Sequence, residues 1–210
     1  RTARHWWPRW VEAAANALGT DVDGWVPFEA PFALASRLVP DDPRRHGEVV
    51  DTLLVAWRDA WRILHGPAPI ATSLDVRTVP IPRNDVPAAE AAGRIDHLRW
   101  QTWLLALRDG TITIPGRADR NLADLAGSCD QLGIAVSGDG RTDLEALLHR
   151  TAEQGPERPL AVTFRPTGPD RDARAEAIAQ VGALIERIGE SLQIERVTWT
   201  DLDALAHQRA

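Results

Sequence analysis

Residues 134–164 read IAVSGDGRTDLEALLHRTAEQGPERPLAVTF, and this stretch decides the fold. It opens with a short β run, Ile134–Val136, and closes with another, Leu160–Phe164. Between them the turn Ser137-Gly138-Asp139-Gly140-Arg141 leads into a helix over 142–154. Thr142 and Glu145 form a capping box there, the hydroxyl accepting from an orphan amide while the carboxylate reaches back to the cap. A strand, a helix and a strand joined by short connections make a parallel pair, because the crossover returns the chain to the same sheet end.

The alternation continues on both sides. Upstream, Thr111–Ile114 reads as a strand, and 119–132 as a helix with Leu122, Leu125, Cys129 and Leu132 in one stripe. Downstream, the pattern gives a helix over Asp172–Ile188, a strand over Ile194–Trp199 and a short last helix over Thr200–His207. The class is therefore α/β: a small, mostly parallel four-stranded sheet with alternating helices over residues 110–210.

Residues 1–109 read instead as a Trp-rich helical region. One stripe, Trp7, Trp10, Val11, Ala14 and Leu18, ends at Gly19; a short helix over Phe32–Leu38 follows among prolines. Asp42 and Pro43 open a third helix, whose Val50, Leu53, Leu54, Trp57, Trp61 and Leu64 face a core before His65-Gly66-Pro67 stops it. Leu74–Ile81 is an edge strand, since Pro80 and Pro82 cannot serve a central one. A long helix over 88–108, apolar on most sides, completes the region. The expected core includes Leu53, Trp57, Trp61, Leu98, Trp103 and Leu105. The two regions, 1–109 and 110–210, pack as one domain or as two.

Composition removes several kinds of chemistry. All 24 basic residues are Arg, so no lysine can hold a phosphate in a P-loop or form a Schiff base. One Cys excludes an internal disulfide framework and Cys-rich zinc modules, and suits a reducing compartment. The net charge of −6 argues against general nucleic-acid binding. That acidity sits late in the chain, where residues 119–210 carry 10 Arg against 16 acids. No apolar run reaches the roughly 18 residues of a transmembrane helix, and no signal peptide follows the Arg-rich start, so the expected location is cytoplasmic. A start at Arg1 reads as the interior of a longer protein or a processed end.

Two places carry candidate chemistry. Gly138, Gly140, Arg141 and Thr142 join a strand to a helix N-terminus, where backbone amides and the helix dipole favour a phosphate. Asp170 and Asp172, beyond the third strand, are spaced to share a divalent metal. Asp201 and Asp203 share this spacing but fall in the first turn of the last helix, where acids are favoured anyway. Ile114-Pro115-Gly116-Arg117-Ala118-Asp119 resembles the first motif of the Toprim fold, and Asp170-Arg171-Asp172 its later Asp-x-Asp. Pro115 stands where that family carries its essential glutamate, so no Toprim centre is expected. Cys129, inside an apolar stripe, reads as an inert buried thiol.

With the strands parallel, segments 115–118, 137–141 and 165–171 should share one rim, carrying Arg117, Arg141, Arg165 and Arg171. No nucleophile, base and orienting group stand together, whereas Trp6, Trp7 and Trp10 interleave with Arg1, Arg4 and Arg9, a pattern that serves nucleic-acid stacking, a membrane surface, a protein partner or simply a packed first helix. The leading expectation is thus a non-catalytic interaction or regulatory domain, its partner a protein or the remainder of a longer chain. The alternative is an enzyme or ligand-binding domain taking a phosphate-bearing substrate at the strand carboxyl ends.

Overall fold

The computed structural model describes residues 3–139 and 143–200. Helices α1 (Ala3–Leu18), α2 (Pro31–Leu38), α3 (His46–Leu64), α4 (Val86–Asp96), α5 (Thr102–Asp109), α6 (Leu144–Gln154) and α7 (Arg171–Ile188) combine with strands β1 (Leu74–Asp75), β2 (Thr111–Ile112), β3 (Arg120–Asn121), β4 (Leu132–Gly138), β5 (Leu160–Pro166) and β6 (Ile194–Trp199). The fold is α/β, with a four-stranded sheet in the order β1-β4-β5-β6, parallel throughout.

Two isolated bridges lengthen this arc. Trp25 pairs in parallel with Ile70, and Ala71 with Gln131. Five extended segments, at Trp25, 70–75, 132–138, 160–166 and 194–199, therefore lie side by side in chain order and in one direction. Helices separate each from the next: α2 and α3, then α4 and α5, then α6, then α7. Sequential parallel strands with a helix after each are the repeating unit of a (β/α) barrel.

The two sheet faces differ as that arrangement requires. One face carries Leu132, Ile134, Val136, Leu160, Val162 and Phe164, each buried. Helices cover it; a side chain added at Gly155, just after α6, would meet both Leu132 and Leu104. The opposite face carries Ala135 and Thr163, half-buried, with Ser137, Arg165 and Thr198 exposed. Register aligns Ala135 with Thr163 and Ser137 with Arg165 on this face.

Local chemistry sets the helix ends. Asp42 accepts from the Arg44 amide at 3.2 Å to open the turn before α3, and Asp85 accepts from the Ala88 amide at 3.0 Å to open α4. Between α4 and α5 the chain widens into a π turn, His97–Gln101. A regular helix spreads consecutive residues by 100°, yet Leu98, Arg99 and Trp100 are 2%, 5% and 0% exposed. The expected core holds at Trp57, Leu98 and Trp103, all buried, with Leu53, Trp61 and Leu105 half-buried. Trp57 Nε1 donates to the Ser128 carbonyl at 2.8 Å, and its ring meets Phe28 and Trp103 edge-on.

Two expected elements are corrected. Residues 119–132 are not a helix: β3, a short 3-10 turn at Ala123–Leu125 and the start of β4 occupy them. Gly127, at φ +70°, supplies a bend no helix contains. Leu125, Cys129 and Leu132 are buried, so the apolar spacing reports burial of a coil. Likewise Thr111–Ile112 does not join the parallel sheet; it pairs antiparallel with Arg120–Asn121. Its place is taken by Leu74–Asp75, which is all of the expected strand Leu74–Ile81 that is assigned as strand; Pro80 and Pro82 fall in the irregular segment beyond it. Thr142 and the helix expected over 200–207 lie outside the described residues, apart from Thr200; the expected capping box is corrected, since α6 has Asp143 at its N-cap and Glu145 is taken by Arg187 of α7 at 3.0 and 2.8 Å.

Candidate functional site at the strand carboxyl ends

Parallel strands deliver their carboxyl ends to one side, and there the first segment and β5 meet. Glu29 follows the Trp25 segment; Arg165 is the penultimate residue of β5, and its Nη2 lies 3.9 Å from Glu29 Oε1. Three strand spacings, roughly 14 Å along a sheet, separate those elements. Both side chains must lean across the sheet's open face, so the pair spans the mouth of a curved arc.

Asp75, the last residue of β1, stands between them in strand order. Its Oδ1 accepts from the Phe32 amide at 3.2 Å. That bond holds the start of α2, just after Ala30, which sits in the left-handed region at φ 50° and ψ 60°. A non-glycine residue pays roughly 1–2 kcal/mol there. The conformation is fixed from two sides, since the Ala30 amide donates to the Ser73 carbonyl at 2.8 Å. Backbone strain of this kind collects at functional sites.

Arg99 reaches this point from the π turn. Its Nε lies 3.9 Å from Asp75 Oδ2, and its guanidinium carbon lies 4.7 Å from the Phe32 ring centroid. Burial raises the Asp75 pKa above the usual carboxylate value, opposed by Arg99 and by backbone amides. Burial also lowers the Arg99 pKa, opposed chiefly by Asp75. The strand ends thus carry a carboxyl that burial biases toward its protonated form, Asp75, and a second, more exposed one, Glu29.

The residues singled out from sequence lie around this rim. Gly138 ends β4 and is half-buried; Gly140, Arg141 and Thr142 are outside the described residues, as are Asp201 and Asp203. Asp170 caps α7, accepting from the Ala173 amide at 2.8 Å, and Asp172 lies in that helix's first turn. No group of three or more metal-ligating side chains gathers among the described residues. A cleft of about 220 Å³ beside α7 is lined by Asp139, Thr167, Gly168 and Glu176. Arg117 is not on the rim: with β2 outside the sheet it instead pairs with Glu48 of α3 at 2.9 Å. Burial pushes the Cys129 thiol up to about 12, which makes it inert.

Sequence reasoning missed Glu29, Asp75 and Arg99. Asp75 carried a weak signal, an acid at the end of an apolar strand. The signal for Arg99 is a lone charge among Leu98, Trp100 and Trp103 in an apolar helix.

No family model and no curated protein matches the chain. Solved structures do. A β-glucosidase from Exiguobacterium marinum superposes with a TM-score of 0.75 at 13% identity, over 94% of this chain and 60% of that one. A family 1 glycoside hydrolase from Thermotoga maritima, complexed with a cyclophellitol analogue, gives 0.72 at 13% identity, over 94% and 58%. A β-glycosidase from Pyrococcus horikoshii gives 0.71 at 16% identity, over 92% and 54%. This chain spans little more than half the length of each. At such identities the likeness establishes the fold, an arc of a (β/α) barrel. It also overturns the leading expectation of a non-catalytic interaction or regulatory domain. The scaffold is one shared with glycoside-cleaving enzymes, and its strand ends, rather than the Trp-rich first helix, become the place to seek function.

Proposed function

We propose that this chain is the larger arc of a glycoside hydrolase-type barrel and handles a glycoside at the mouth formed by Glu29, Asp75, Arg99 and Arg165. The observation that carries the proposal is two carboxyl groups from different strand ends on a fold shared with β-glucosidases. Glycoside hydrolysis needs one carboxyl that keeps its proton near neutrality and a second that meets the developing positive charge on the sugar. We assign the first role to Asp75, the more buried of the two, whose burial favours the protonated form, and the second to Glu29, half-exposed at the mouth.

The matched enzymes are longer, so the rest of such a barrel would come from a longer chain or a partner protein. Cytoplasmic placement is consistent with one buried, unpaired cysteine. Among the described residues no helix is long and apolar enough to cross a membrane.

A second reading is glycoside capture without cleavage, favoured by the guanidinium already facing each carboxylate. Release of p-nitrophenol from aryl β-glucosides, with calorimetric binding of the same compounds, separates the two. The hydrolytic reading expects release that Asp75→Asn and Glu29→Gln each abolish. Binding without release supports capture, and neither binding nor release overturns the proposal.

A further inference from the structure

Arg99 is the feature of the mouth that protein contacts leave unsatisfied. A guanidinium carries five N–H donors and cannot shed its proton. Arg99 is 5% exposed, yet its buried side-chain Nε has no hydrogen-bond partner. Asp75 lies at 3.9 Å, beyond hydrogen-bonding distance, and spends Oδ1 on the Phe32 amide. The Phe32 ring covers one face of the guanidinium and offers it no acceptor lone pair. Asp96, the other acid that acts on Arg99, is held by Arg150 in a two-pronged pair at 3.0 and 2.6 Å. Buried charges of this kind are ordinarily paired and hydrogen-bonded, and a planar fork of donors matches the two oxygens of a carboxylate or phosphate.

The neighbourhood adds to this. Arg77, two residues beyond Asp75, is exposed and close enough to act on Arg99 electrostatically. Arg165 stands across the mouth with Glu29 as its partner. Counting Asp96 and the Arg150 that holds it, four guanidinium groups stand with three acids, an excess of positive charge in a chain whose net charge is −6. Asp139, the acid at the end of β4, lines the separate cleft against α7.

We infer that the glycoside taken at this mouth carries an anionic group, a carboxylate or a phosphate, and that Arg99 receives it with Arg77 assisting. The inference rests on the glycoside reading above and narrows its substrate class. The incoming oxygens accept the donors that Asp75 leaves free, and the anion offsets the surplus charge. Asp75 keeps its place beside the sugar.

Calorimetry on the full chain tests this with four probes: methyl β-glucoside, methyl β-glucuronide, glucose 6-phosphate and inorganic phosphate. The expected result is at least tenfold tighter binding of the acidic sugars than of methyl β-glucoside. Preference for the glucuronide assigns a carboxylate and preference for glucose 6-phosphate assigns a phosphate; either upholds the inference. Arg99→Lys, which keeps the charge but loses the planar fork of donors, should cut the acidic-over-neutral preference several-fold. If that variant fails to fold, Arg77→Gln, at an exposed position, should weaken acidic-sugar binding several-fold. Equal affinity for neutral and acidic sugars overturns the inference and leaves the glycoside reading standing. Acidic preference that survives both variants also overturns it. Phosphate bound as tightly as glucose 6-phosphate, with no glucoside bound, overturns both.

Discussion

Gly133 gives the sharpest test of how the sheet is assembled, because a methyl group there has nowhere to go. A Cβ added at this position would lie 1.8 Å from the Thr72 carbonyl oxygen and 2.9 Å from its carbon. An ordinary carbon–oxygen approach is about 3.3 Å or more, so the segment at 70–75 and β4 would have to part by roughly 1.5 Å. The same two residues are locked by a reciprocal pair of hydrogen bonds. Thr72 Oγ1 donates to the Gly133 carbonyl at 2.8 Å and accepts from the Gly133 amide at 2.7 Å. Both bonds are buried, with Thr72 2% exposed. Parting the strands forfeits two bonds at about 1 kcal/mol each, and overpacking adds about 1–3 kcal/mol. Gly133→Ala should therefore destabilise by about 3–5 kcal/mol. That is a large share of the roughly 5–15 kcal/mol a domain possesses. Urea unfolding followed by fluorescence of the buried Trp57, Trp100 and Trp103 measures it. A loss below about 1 kcal/mol would show that the two strands do not approach as described.

Other substitutions probe the core and the mouth. Trp57→Ala should cost about 3–5 kcal/mol in the same assay, and Trp57→Phe about 1 kcal/mol for the lost bond to Ser128. Cys129 should resist a thiol reagent at pH 8 in the folded protein and react once urea unfolds it, since burial pushes its thiol up to about 12; rapid modification of the native chain would contradict its burial. For Asp75 the folded pKa stands above the ordinary 3.8. Its contribution is then fully present below that value and fades as pH rises through the raised one. The stability gap between the parent and Asp75→Asn should narrow over that window, and a gap that widens would reverse the assignment.

The strands that proved legible were those whose chemistry is local. Ile134–Val136 and Leu160–Phe164 are β-branched and apolar runs closed by turn residues, and both lie inside observed strands. The segment at Trp25 was not legible, because a single bridge flanked by Gly24 and Pro27 leaves no periodic signal. The stripe from Leu122 to Leu132 misled for a related reason. Apolar spacing marks burial, and Gly127 was the residue that forbade a helix. The strand-end rim follows from parallel topology alone, but its occupants depend on which segments are neighbours. Glu29 and Arg165 are far apart in sequence, and only the curve of the sheet brings them to 3.9 Å.

The central claim is that a glycoside sits in the mouth of this arc, and backbone amide shifts during titration test it most directly. With a β-glucoside or its acidic counterpart added to the labelled chain, the largest shifts should fall at Glu29–Phe32, Asp75–Arg77, Arg99 and Arg165. Saturating shifts confined to the cleft at Thr167–Ala173, or to the apolar hollow beneath α1 lined by Trp7, Phe28 and Leu53, would contradict the account. So would a spectrum that does not move.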